Sequence, residues 1–162
     1  MMHTPLFKFP YIICICLFIH NPLIFASGQQ DYYAASTDKS LQDILEDIEF
    51  AITERNLHIT GRLHIGQAIR DRGNPDFPDY EIIMYCSLTF AQKMLELAPD
   101  FINSCPGRIA VRSQGDSFII SAPLWPEQTD NMELKHLMQT MNNMVREIVD
   151  YAVEDWFHFK EK

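Results

Sequence analysis

The chain has 162 residues, of which 13 are Lys or Arg and 22 are Asp or Glu, giving a formal net charge of −9 at neutral pH. Such an acid excess excludes a generic binder of nucleic acid or of anionic membrane, because that kind of affinity accumulates from positive charge. The length suits one domain, and no internal repeat, linker or low-complexity tract divides the chain.

Lys8 is the only charged side chain before Asp31. The apolar run from Phe9 to Ile19 has the length of the hydrophobic region of a secretory signal and is short for a membrane span. Pro22 ends it, and Ala26-Ser27-Gly28 supplies the small residues that a signal peptidase requires. Residues 1–28 are therefore expected to be a signal peptide and residues 29–162 a single exported domain, periplasmic in a bacterium or secreted. An uncleaved anchor is the competing reading, since the basic flank is thin, and it alone would tie the chain to a membrane. Cys14 and Cys16 lie inside the apolar run without small residues before them, so no lipoprotein signal is read there. After residue 28 there remain 12 basic and 22 acidic residues, a net charge of −10, with Cys86 and Cys105 as the remaining cysteines. No Asn-x-Ser/Thr sequon follows residue 28, in keeping with a bacterial periplasm.

Along the mature part, residues 31–36 are read as a first strand. Ser40, with Asp43 three residues on, caps a helix whose stripe is Leu41, Ile44, Leu45, Ile48 and Ile52. Asn56 is suited to the left-handed position after its end. Residues 57–65 alternate, with Leu57, Ile59, Leu63 and Ile65 on one side and His58, Thr60, Arg62 and His64 on the other, which predicts a strand with one buried face. Gln67 to Arg72 form a short helix before a loop containing Pro75 and Pro78. Residues 80–87 are apolar on both faces, as a central strand would be. Thr89 with Gln92 predicts the cap of a helix that stops at Pro99. Residues 108–114 and 117–122 form two strands joined by the two-residue turn Gly115-Asp116. Asp130 with Glu133 predicts the cap of a last helix, striped by Leu134, Leu137, Met138, Met141, Val145, Ile148 and Ala152. Helices with one apolar side and strands with one polar face predict an α+β domain of two layers, a mainly antiparallel sheet backed by helices on one face and open on the other.

The stretch from Leu41 to Asp155 resembles the domain of unknown function 302 family. The residues that carry the resemblance are the helix ending before Asn56-Leu57, Asp76-Phe77 with Tyr80 ahead of Glu81-Ile82-Ile83, Cys86 at the end of that strand, Cys105 before the strand from Arg108 to Gln114, and the strand-then-helix close. The resemblance implies a curved sheet backed by helices, similar to the fold of the TATA-binding protein, and no agreed activity. Members often have Asn-Pro after the first cysteine and Pro before the second. Here those positions hold Ser87-Leu88 and Ser104.

Several motifs have ordinary explanations. His58 and His64 lie about 20 Å apart along an extended strand, whereas zinc ligands each sit about 2 Å from the ion, so the two cannot share a metal. Met138, Met141 and Met144 have the spacing of a soft copper(I) site, but they continue an apolar stripe in which methionine is a common filler. Gly115-Asp116-Ser117-Phe118 echoes a lipase nucleophile motif, yet it sits in a hairpin rather than between a strand and a helix. No Gly-rich phosphate loop, Cys-x-x-Cys or His-Glu-x-x-His occurs. No residue set is read as a metal site or as calling for a cofactor.

Parity defines the candidate working surface. Pairing Gln114 with Ser117 across the turn sets Val111 opposite Ile120 and Ile109 opposite Ala122 on the helix-covered face. Arg108, Ala110, Arg112, Ile119 and Ser121 then face the open side. Together with the polar side of residues 57–65, this makes His58, Arg62, His64, Arg108 and Arg112 the candidate ligand-binding residues, suited to an anionic small molecule or to self-association. The alternative is a thiol-based or metal-assisted redox protein using Cys86 and Cys105, a candidate disulfide or thiol pair in a compartment that permits oxidation. Protein recovered from an exporting host is expected to begin near Ser27 or Gln29 by mass spectrometry of the intact chain. Recovery of soluble cytoplasmic protein that retains Met1 would refute export.

Overall fold

The computed structural model describes residues 31–155. The elements run in the order β1 (Tyr32–Thr37), α1 (Leu41–Glu54), β2 (His58–His64), α2 (Ile65–Arg70), β3 (Tyr80–Cys86), α3 (Leu88–Leu97), a 3-10 helix (Pro99–Ser104), β4 (Gly107–Gln114), β5 (Ser117–Pro123) and α4 (Met132–Val153). The five strands form one antiparallel sheet in the order β1-β5-β4-β3-β2, so β4 is central and β1 and β2 are edges. The expected signal peptide lies outside the described residues.

Local chemistry explains the element boundaries. The Ser40 hydroxyl accepts from the Asp43 amide and starts α1, and Asn56 adopts φ 55° just beyond its end. Gly115, at φ 62°, turns β4 into β5. Two caps differ from expectation. Ser87, not Thr89, caps α3: it is the last residue in extended conformation after β3, and its hydroxyl accepts from the Phe90 amide. Asn131, not Asp130, caps α4, its side-chain oxygen accepting from the amides of both Glu133 and Leu134.

The core lies between the sheet and the pair α1 and α4. Ile44, Ile48 and Ile52 of α1 and Val145 and Ile148 of α4 are fully buried against Ile83, Ile109, Val111 and Ile120 of the sheet. Met138 and Met141 belong to this core, being 2% and 5% exposed. One buried polar residue fixes the strand exit to α4. The Asn142 amide accepts from the Trp125 amide at 2.8 Å and donates to the Trp125 carbonyl at 3.0 Å and to Glu127 Oε1 at 2.8 Å. The bond from Asn142, with one from Gln139, holds the Glu127 carboxyl below the usual carboxylate range.

The expected alternation of residues 57–65 is broken. Ile59 pairs with Tyr85 but Gly61 pairs with Met84, so Thr60 is an extra residue in a β-bulge. Beyond the bulge the parity inverts: Arg62 stands opposite buried Ile83 and His64 opposite Glu81, while Leu63 turns outward and is 47% exposed. The glycine permits this geometry, since a Cβ on Gly61 would come within 2.6 Å of Met84 Cε.

Since Met141 packs as core, Met141→Ala should cost about 2–5 kcal/mol of stability, and Met141→Leu less than about 1.5 kcal/mol. Chemical denaturation of both variants checks this; equal, small losses would show that the site is not packed.

Candidate functional site

The sheet face away from the helices is mixed rather than polar. Strand parity places Tyr80, Ile82, Met84 and Cys86 of β3 on it, with Ile119 and Ser121 of β5, Tyr32 and Ala34 of β1, and Leu63 of β2. Arg108 and Arg112 rise from the central strand of this floor. Arg112 lies between Tyr80 and Ile119, and Arg108 opposite Met84. Four residues along a strand separate the two by about 13 Å. Both are exposed, and among the described residues neither forms an ion pair.

Three of the five sequence candidates therefore share the open face: His58, Arg108 and Arg112. His58 is exposed at the edge, opposite Cys86. The other two are corrected to the helix side because of the bulge. Arg62 Nε bonds Glu49 Oε1 of α1 at 2.6 Å, and His64 Nδ1 meets Glu81 Oε2 at 2.6 Å. Glu81 is only 6% exposed, and a buried carboxylate needs such a partner. Arg62 and His64 act as structural partners of buried or half-buried acids. Lone Gly61 inside an otherwise alternating strand was the available sign of the bulge.

Two cavities adjoin at the end of the sheet where the 3-10 helix meets β4. One, about 80 Å³, is bordered by Asn103, Ser104, Arg108 and Trp125. The second, about 40 Å³, is apolar, with Phe90, Met94, Phe101 and Met141 in its wall. Ser104, Gly107 and Trp125 border both. Sequence reading missed Ser104, Trp125 and Tyr85 at this place, since three separate segments bring them together.

Cys86 and Cys105 line the apolar cavity, with their sulfurs 3.8 Å apart. Both are free thiols here, Cys86 half-buried and Cys105 exposed as a residue. Cys105 nevertheless loses enough water around its sulfur to push its pKa up, and the hydrogen bond and charge of Cys86 add to this. A raised pKa disfavours the thiolate that redox catalysis needs. Among the described residues no group of three or more His, Cys, Asp or Glu side chains could hold a metal, and no helix is long and apolar enough to cross a membrane.

Residues 32–152 match the family described as Domain of unknown function DUF302. The chain belongs to the DUF302 family. It is also similar in structure to an uncharacterized conserved DUF302 protein from Bacillus stearothermophilus, with 12% identity, a TM-score of 0.67, and coverage of 76% of this chain and 98% of that one. A likeness at that identity shows the fold, a five-stranded open sheet with helices, and no more. No curated protein matches the chain.

In this DUF302 chain the turn after Cys86 is built by the Ser87 cap rather than by Asn-Pro, and Ser104 before the second cysteine contributes to both cavities. A bond between the two sulfurs would close a loop holding α3 and the 3-10 helix. Chain-entropy reasoning gives such a bridge roughly 3 kcal/mol. Protein purified from an exporting compartment is expected to resist alkylation at both cysteines and to unfold at lower denaturant concentration once reduced. Identical unfolding midpoints with and without reductant would refute a stabilising bridge.

Proposed function

We propose that this DUF302 chain is an exported binding module that takes an anionic small molecule on the open face of its sheet. The observation that carries the reading is the pair Arg108 and Arg112, exposed on the central strand of an acidic protein and without an ion pair among the described residues. Four other cations are neutralised, Arg55 by Glu147, Arg62 by Glu49, Arg70 by Asp79 and Lys39 by Asp47; what sets Arg108 and Arg112 apart is their place on the central strand beside Met84, Tyr80 and Ile119. An arginine fork left free over an apolar floor suits a carboxylate, phosphate or sulfonate that carries an apolar body. Two isolated arginines do not make the basic stripe that nucleic acid requires, so no nucleic-acid partner is proposed.

Self-association is a second reading, favoured by Tyr32 and Leu63, 59% and 47% exposed on the same face. A two-fold contact would bring this face onto its own copy and set arginines near arginines, which ranks it below a small anion. The redox alternative has the sulfur proximity in its favour and the raised Cys105 pKa against it, so a structural bridge is the role proposed for the thiols.

Anilinonaphthalene sulfonate, an apolar body with one anionic group, serves as a probe. Its fluorescence should rise with native protein. Arg108→Ala or Arg112→Ala should each weaken binding by about tenfold, the order of one charge-assisted hydrogen bond, with melting temperatures changed by only a few degrees. Equal probe binding by the double variant would overturn the reading, and a monomer–dimer shift abolished by the same variants would favour self-association instead.

A further inference from the structure

The Tyr85 ring belongs to the core, but its hydroxyl has no role in holding the fold together. The residue is only 1% exposed, and among the described residues its hydroxyl makes no hydrogen bond. No side-chain polar atom among the described residues is both sealed from solvent and unpartnered, so this oxygen must retain access through the cavity that the residue lines. Its position follows from Gly107. A Cβ there would lie 2.6 Å from Tyr85 Cζ and 2.8 Å from its oxygen, so the phenol end lies across the backbone of a residue that borders both cavities.

We propose that the two adjoining cavities form one site for a short-chain carboxylate, its anion held by Arg108, the Ser104 hydroxyl and the Tyr85 hydroxyl, and its alkyl chain in the apolar cavity. This rests on the reading of Arg108 as a free anion-binding cation and adds the ligand class and its place. The larger cavity, about 80 Å³ and bordered by Arg108 and Ser104, has room for a carboxylate, and Gly107, against which the Tyr85 phenol lies, borders both cavities. The apolar one, about 40 Å³, falls well short of the roughly 150 Å³ that accommodates a benzene ring, and so it selects a narrow chain. Burial pushes the Tyr85 phenol up despite the opposing charge of Arg108, so the hydroxyl stays protonated and donates to an anion. Trp125 borders both cavities, and its backbone is held by paired bonds to the Asn142 side chain, so the chain at this wall is fixed before any ligand arrives.

Titration of acetate, propionate, butyrate and benzoate into the full mature chain, followed by calorimetry and by backbone amide shifts at Gly107 and Trp125, tests the proposal. Affinity should rise about fourfold per added methylene up to butyrate, and benzoate should bind at least about tenfold more weakly than butyrate, because its ring exceeds the cavity. Tyr85→Phe should weaken butyrate binding about tenfold, the order of a hydrogen bond to a charged group, and Arg108→Ala should abolish it. Arg72→Ala, at a residue that lines neither cavity, should leave it unchanged. Affinities independent of chain length, benzoate equal to butyrate, or butyrate binding insensitive to Tyr85→Phe would each overturn the proposal. If no carboxylate binds while the sulfonate probe still depends on Arg112, this site is refuted and the open-face reading stands. If the probe ignores both arginines as well, both readings fail.

Discussion

Ile83, Ile109, Val111 and Ile120 alternate along the three inner strands and are all essentially buried under α1 and α4. Each such side chain gains on the order of 1.5–3 kcal/mol from leaving water. A one-residue slip of β4 would expose Ile109 and Val111 and drive Arg108 and Arg112 under the helices, unpaired. The free arginines on the open face are thus a consequence of the core. Whatever binds them, their position is set by the burial of their neighbours.

The edge strand β2 obeys a different constraint. It has one partner strand, so an inserted residue disrupts a single ladder. Thr60 is that residue, and the inversion beyond it delivers Arg62 to Glu49 and His64 to Glu81. Without His64, the Glu81 carboxyl would sit at a core position opposite Val111 without this hydrogen-bond partner. The bulge converts two apparent surface ligands into partners for acids, which leaves Arg108 and Arg112 of β4 as the cations among the sequence candidates without an ion pair among the described residues.

Regular pairing ceases at the end of the sheet near Gly107, and there the packing is least uniform. The Tyr85 ring occupies the space that a side chain at Gly107 would need, and α3 with the 3-10 helix spans the gap. Asn142, 1% exposed inside an apolar stripe, satisfies all its bonding with Trp125 and Glu127. An amide at a core position of α4 thereby fixes the chain where it leaves β5 and forms the wall shared by both cavities.

The sequence by itself determined the five strands and the main helices, the two-layer α+β class, the hairpin register at Gly115-Asp116 and the methionine core, because each depends on periodicity or turn chemistry within a few neighbouring residues; it ran the second strand through Ile65, which opens α2, and did not show the 3-10 helix. It also placed Arg108 and Arg112 correctly, since their hairpin has a fixed turn length and therefore a fixed parity. It misplaced Arg62 and His64, because a bulge shifts parity by one and is decided by how β2 fits β3 and α1, not by the alternation of β2. It located Ser87 and Asn131 only to within two residues, since neighbouring polar side chains compete for the same cap. The approach of Cys86 to Cys105, the two cavities and the unpartnered Tyr85 hydroxyl were decided by tertiary structure alone. They depend on how the segment from Ser87 to Ser104 folds back across the sheet end, a contact between residues whose separation in sequence carries no periodic signal.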